Sequence, residues 1–269
     1  MDFRWSTLSL LLAVAVVGLA LTLATAVFPA AVLEAAGATI AGATAADATT
    51  AGDHVVVIDP GHNGANGTHI KEINRLVDAG GFLKACNTTG TTSLSGMTEA
   101  AFNWSVASKL GVILVADGWT VVYTRQDNHG WGPCVDQRGL TAAKVGAVAL
   151  LSIHGDGGPS SGHGFHVIWP GPVANYTAST SKSSLRLATA VRDALVKSGA
   201  SPSTYTGRRG LDGRTDLGTL NRSSVPSMMV EAGNLRNVGD DRELSTDAGQ
   251  QRVAAAVAKG FEAWAGSTG

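Results

Sequence analysis

Four side chains in this sequence have the types needed to do hydrolytic chemistry together: His62, Glu99, His154 and Glu231. Two imidazoles, one carboxylate and a free fourth position make the donor set of an open, catalytic zinc site. A second carboxylate, not bound to the metal, then acts as general base on a water. Placing Glu99 on the metal and Glu231 on the water is the first reading; the reverse also fits the spacing. No short motif decides it. The chain has no His-Glu-x-x-His, no Gly-x-Ser-x-Gly elbow and no phosphate-cradling P-loop.

Three of the four share one address. Val55 to Ile58 is a mostly β-branched run that suits a short buried strand, stopped by the turn Asp59-Pro60-Gly61, with His62 next. Ala147 to Ile153 is a second apolar strand, ended by His154, and Ser227 to Val230 a third, ended by Glu231. In a mostly parallel sheet such strand ends converge on one edge, where ligands bind. Glu99 instead opens a helix, with Thr98 as N-cap and Gly118 as stop, whose apolar residues Phe102, Val106, Leu110, Ile113 and Leu114 keep helical spacing. A carboxylate in a first helical turn also has a purely structural reason to be there, the helix dipole.

The remaining elements must carry these four. Trp119 to Thr124 and Gly164 to Trp169 read as strands. Gln137 to Val145, Ser181 to Lys197 and Asp247 to Trp264 read as helices, the second with Leu185, Ala188, Val191, Leu195 and Val196 on its buried side. Asn63 to Gly96, rich in Gly, Thr and Asn, is predicted to fold as an insertion with a hairpin around Gly80-Gly81. Strands apolar on both faces, alternating with helices, mean an α/β sheet covered by helices.

With a net charge of −1 and no basic run, the chain offers no electrostatic footprint for nucleic acid. No charge falls between Arg4 and Glu34, and Leu8 to Phe28 is almost wholly apolar. A signal h-region takes about 7–15 residues and a spanning helix about 20, so residues 1–34 read as a signal peptide or membrane anchor. Residues 35–53, rich in Ala, Thr and Gly, read as a flexible linker, and 54–266 as one catalytic domain. Membrane contact would come only through the leader. The two cysteines, Cys86 and Cys134, are expected to form a disulfide in an exported protein.

From Val55 to Trp264 the chain resembles the zinc-dependent N-acetylmuramoyl-L-alanine amidases of the bacterial cell wall, the amidase_3 type. The matching pieces occur in the family's order. They are Asp59-Pro-Gly-His62, then Glu99 with Asn103 one turn later, then Thr124-Arg125 with Asp127. Arg138 follows, then Ser152-Ile-His154, then Pro226 with Val230-Glu231-x-Gly233-Asn234. The resemblance implies one zinc ion on His62, Glu99 and His154, with Glu231 as catalytic base. It also implies a twisted, mostly parallel six-stranded sheet between helices, and peptidoglycan or muropeptides as substrate. The departures are Gly155-Asp156 after His154, Asn234 where the family usually has Phe, and the Cys86-bearing insertion. Short, exported, single-domain actinobacterial members, expected to act as monomers, carry the likeness furthest.

Other polar residues carry two readings each. Arg125 and Arg138 either grip substrate carboxylates or pair with Asp127 and Asp136. Asn103 and His166 are candidate substrate contacts, against a helix-surface position and a packing role. Asp59 either bonds backbone in its turn or orients His62. The competing functions are a zinc peptidase acting within the stem peptide and a non-catalytic wall-binding module, which would have lost a ligand or the base.

Overall fold

The structure is a computed structural model that describes residues 54–267. The leader and linker read from residues 1–53 lie outside the described residues.

In chain order the elements begin with β1 (Val55–Pro60), α1 (Ile70–Ile73), β2 (Leu76–Asp78), β3 (Leu83–Ala85) and α2 (Glu99–Ala116). Next come β4 (Thr120–Tyr123), α3 (Val135–Lys144), β5 (Ala149–Asp156), β6 (His166–Pro170) and α4 (Ser181–Lys197). The chain closes with β7 (Leu211–Arg214), α5 (Gly218–Asn221), β8 (Ser227–Asn234), α6 (Val238–Leu244) and α7 (Asp247–Ala265). Among the described residues six strands form one sheet in the order β4-β1-β5-β8-β6-β7. Every neighbour is parallel except β6 against β8.

Strand side chains alternate between faces, and each face finds its own helices. Val56, Ile58, Leu151, Ile153, Met228 and Val230 pack against α2, α4 and α7. Val55, Val57, Leu150, Ile168 and Met229 face the other way, onto α3 and α5. Both faces are therefore dry, which is why these strands read as unbroken apolar runs. By the same alternation, Asp59, His154, His166 and Glu231 all leave the α3/α5 side near the carboxyl end of the parallel strands.

Three details depart from the sequence reading. His154 and Glu231 lie inside β5 and β8, not past them, because backbone pairing continues through them: His154 is in register with Glu231. On α4 the buried side is Ser184, Leu187, Ala188, Val191 and Leu195; Leu185 and Val196 are 37 % and 45 % exposed. The edge strand β7, with its polar sequence Leu-Asp-Gly-Arg, had no periodic signal to reveal it.

The insertion forms the expected hairpin of β2 and β3, turned by Gly80 and Gly81 at φ 90° and 97°. Cys86 and Cys134 are disulfide-bonded, tying the hairpin's end to the start of α3. On the opposite face of the sheet, α4 and α7 touch backbone to backbone at Gly260: a Cβ there would lie 2.4 Å from the Val191 Cα. Gly260→Val is expected to overpack this contact by about 1–3 kcal/mol. Thermal unfolding should then shift down by roughly 2–4 °C per kcal/mol. Activity per folded molecule should be unchanged, because the contact lies on the opposite face of the sheet from Asp59, His154 and Glu231.

Candidate active site

The loop after β1 carries His62 in the left-handed region, at φ 56°, a conformation that a non-glycine residue adopts only when its surroundings impose it. Two buried guanidiniums and one amide impose it here. The Pro60 carbonyl accepts from Arg125 Nε at 2.9 Å and Arg138 Nη1 at 2.7 Å. The Gly61 carbonyl accepts from Arg125 Nη2 and Asn103 Nδ2, and the His62 carbonyl from Arg138 Nη2 at 2.6 Å. Asp59 anchors the clamp by accepting from Arg138 Nη1 at 2.8 Å, Thr124 Oγ1 and Ser152 Oγ. Burial alone would push the Asp59 carboxyl up; Arg138 and the two hydroxyls outweigh it and hold it below its usual range.

Held this way, His62 meets Glu99 and His154. Its Nε2 lies 3.0 Å from Glu99 Oε1, and His154 Nδ1 lies 2.9 Å from the same oxygen. All three donor atoms fall within 4.8 Å of one another. The other Glu99 oxygen accepts from the Thr91 backbone N–H at 2.9 Å. Burial would raise the Glu99 carboxyl, but the imidazoles of His62 and His154 outweigh it and keep it ionised far below its usual range. His62, which burial would lower, is raised by Glu99.

These residues fit a divalent ion on the chemistry of their lone pairs. His62 Nδ1 lies 2.9 Å from the Thr88 carbonyl, which can only accept, so Nδ1 carries the proton. In the neutral imidazole Nε2 then presents a lone pair toward a carboxylate oxygen 3.0 Å away, a pair that a shared cation would bridge. Tetrahedral zinc, with ligand bonds of about 2.0–2.2 Å, sets its donor atoms roughly 3.3–3.6 Å apart; here the two imidazole nitrogens lie 3.0 and 2.9 Å from Glu99 Oε1, and all three donor atoms within 4.8 Å.

The backbone nearby leaves no room for side chains. A Cβ on Gly61 would lie 2.1 Å from the His154 ring, and one on Gly90 2.7 Å from Glu99 Oε2 and 2.8 Å from the His62 ring. Gly90 and Thr88 went unremarked in the sequence, where they are two residues of a long polar loop without a pattern.

A cavity of about 210 Å³ opens beside the three donors, lined among others by His62, His154, Thr88, Lys84, Met229 and Glu231. Glu231 is partly exposed, yet its Oε2 is buried and has no hydrogen-bond partner. Its carboxyl is raised well above the usual value by burial, and further by Glu99 and Asp156. Two carboxylates in one site are thus pushed apart, one toward permanent charge and one toward proton exchange.

The family's sequence profile, described as N-acetylmuramoyl-L-alanine amidase, matches residues 56–263. The chain belongs to the N-acetylmuramoyl-L-alanine amidase family. It is 39 % identical over 216 residues to the N-acetylmuramoyl-L-alanine amidase Rv3717 of Mycobacterium tuberculosis, covering 80 % of this chain and 88 % of that one. Among solved structures it is similar to the amidase Ami1 of Mycobacterium smegmatis, with a TM-score of 0.75 at 37 % identity, covering 80 % of this chain and 97 % of that one. For Ami1 of Mycobacterium abscessus the TM-score is 0.74 at 39 % identity, over 78 % and 98 % of the two chains.

Geometry reassigns several residues of the amidase. Arg138 is 2 % exposed and all five of its N–H groups donate within the protein, to Asp59, Pro60, His62, Gly132 and Pro133. It has no donor left for a substrate, and its ion-pair partner is Asp59, not Asp136. Arg125 is likewise fully engaged. Asn103 is buried under the Gly61 carbonyl and is neither a helix-surface residue nor a cleft contact. Asp59 serves Arg138 rather than its own turn or the His62 ring. Asn234 holds the Pro159 and Gly162 carbonyls, a loop-bracing role that Phe could not fill.

Replacing Asp59 with Asn would leave the Arg138 charge buried without its counter-ion, at a cost of about 3–5 kcal/mol. Because folding lowers the Asp59 pKa from 3.8, its contribution is complete above that pH and is lost as pH falls through the folded-state value. Denaturant titrations should show the wild type losing stability below about pH 4, with D59N both less stable at neutral pH and flatter across the acid range.

Proposed function

We propose that this amidase cleaves the bond between the lactyl group of N-acetylmuramic acid and L-alanine in peptidoglycan, using one zinc ion held by His62, Glu99 and His154, with Glu231 as general base. One observation carries the reading: two members of a three-donor group, His62 and His154, line the cavity that also holds a separate, part-buried carboxylate. The bond follows from family membership and the reaction type from the donor set.

Bound zinc supplies a Lewis acid, lowering the pKa of the attacking water toward about 7 and polarising the scissile carbonyl. The side chains do the rest. Glu231 accepts the water's proton as the oxygen attacks the carbonyl carbon, then returns it to the nitrogen of the departing L-alanine. Burial, which raises its carboxyl, makes it a better holder of that proton for the second half of the exchange. The Thr88 carbonyl fixes the His62 tautomer, and the Gly61 and Gly90 surfaces keep the two imidazoles and Glu99 in register.

In this reading residues 54–266 are the catalytic domain. The first 34 residues act as a signal peptide or anchor and 35–53 as a tether, so the enzyme works outside the cytoplasm as a monomer on peptidoglycan or muropeptides. Among the described residues no helix is long and apolar enough to cross a membrane.

Glu231→Gln should retain zinc, measured by elemental analysis, while muropeptide cleavage drops by about 10²–10⁴-fold. Chelation should abolish activity and zinc should restore it. Mass analysis of the digest should show stem peptides with a free L-alanine amine. Fragments cut within the stem would mean a peptidase instead, and full activity in E231Q would remove Glu231 from the base role.

A further inference from the structure

His166 and Glu231 stand directly opposite each other in the antiparallel β6–β8 pair. Their side chains therefore leave the same face of the sheet, with Cβ atoms about 4.5–5.5 Å apart. His166 is 2 % exposed. Its Nδ1 is buried without a hydrogen-bond partner, and so is Glu231 Oε2. Folded proteins rarely leave one such atom unpaired, and here two lie on directly facing residues.

The surroundings say which atom gives and which receives. Glu99 and Asp156 oppose the ionised form of Glu231, while Arg214 favours it. Tyr205 is near enough to help, but its hydroxyl donates to Asp156 Oδ2 at 2.8 Å. The Tyr205 ring stands edge-on to His166, with centroids 6.4 Å apart. Burial favours the neutral imidazole, and Arg214 adds to that, against Asp156 and Asp212. A neutral imidazole carries one N–H, and a carboxylate can only accept.

We propose that His166 is a positioning residue for Glu231: its Nδ1–H holds Oε2, directly or through one water, and turns the other carboxylate oxygen to the cleft. This rests on the reading of Glu231 as base and adds the group that aims it. It also replaces the substrate contact expected for His166 from sequence.

The test uses the full, zinc-loaded chain on muropeptides. His166→Phe should lower kcat by about 10–100-fold, the usual cost of losing a partner of this kind, with KM unchanged. The acid limb of the kcat profile should move to higher pH, because the Glu231 carboxylate loses its donor. His166→Gln, which can still donate, should recover most of kcat. Should H166F lose zinc or melt early, His166→Asn, whose amide stops short of Oε2, takes its place with the same expected loss. Wild-type kcat with an unmoved acid limb would overturn the proposal, as would a raised KM with kcat intact, which would mark a substrate contact. E231Q run in parallel separates the causes. If E231Q is inert while H166F is intact, only the role of His166 fails; if E231Q is active, the base reading fails and this inference with it.

Discussion

The clamp on three consecutive carbonyls, Pro60 to His62, is the interaction on which the site depends. β1 ends there, and a loop at the end of a strand would ordinarily be free to choose its conformation. Arg125, Arg138 and Asn103 remove that freedom by occupying every one of these acceptors from beneath. The cost is two buried guanidiniums, and Asp59 with its two hydroxyl partners supplies the compensating charge. The charged groups here serve to hold a left-handed His62 in place; a salt bridge in this position is a geometric device before it is a stabilising one.

From that fixed point the electrostatics follow. Glu99 sits at the head of α2 and meets both imidazoles and the Thr91 N–H, which keep its carboxyl ionised. Glu231 lies one strand away from His154, in register with it, and faces His166 across the β6–β8 pair. Identical side chains thus shift in opposite directions: burial raises both carboxyls, and the imidazoles of His62 and His154 reverse it only for Glu99. This difference arises from the sheet register and the helix start, both of which are backbone features.

The insertion supports the same arrangement from outside. Thr88, which holds the His62 Nδ1–H, and Gly90, which packs against both Glu99 and His62, both belong to it. Asn66 connects it further, donating to the Thr88 carbonyl and accepting from Gly132 N–H. The disulfide from Cys86 to Cys134 closes this outer layer against α3. The insertion that the sequence marks as a hairpin supplies one wall of the site, through Lys84, Asn87 and Thr88.

The sequence by itself determined the layered sheet, since apolar β-branched runs alternate with helical periods, and it determined that His62, His154 and Glu231 collect at one edge. Residue type and the order of the motifs were enough for that. Spacing along the chain left the two glutamates interchangeable, and only the tertiary structure could separate their environments. It also decided that Arg138, Arg125 and Asn103 face inward, because a side chain's donors are assigned by what lies across from them in space. The polar strand β7 and the facing of His166 with Glu231 belong to the same class: pairing between distant strands leaves no periodic trace in either one.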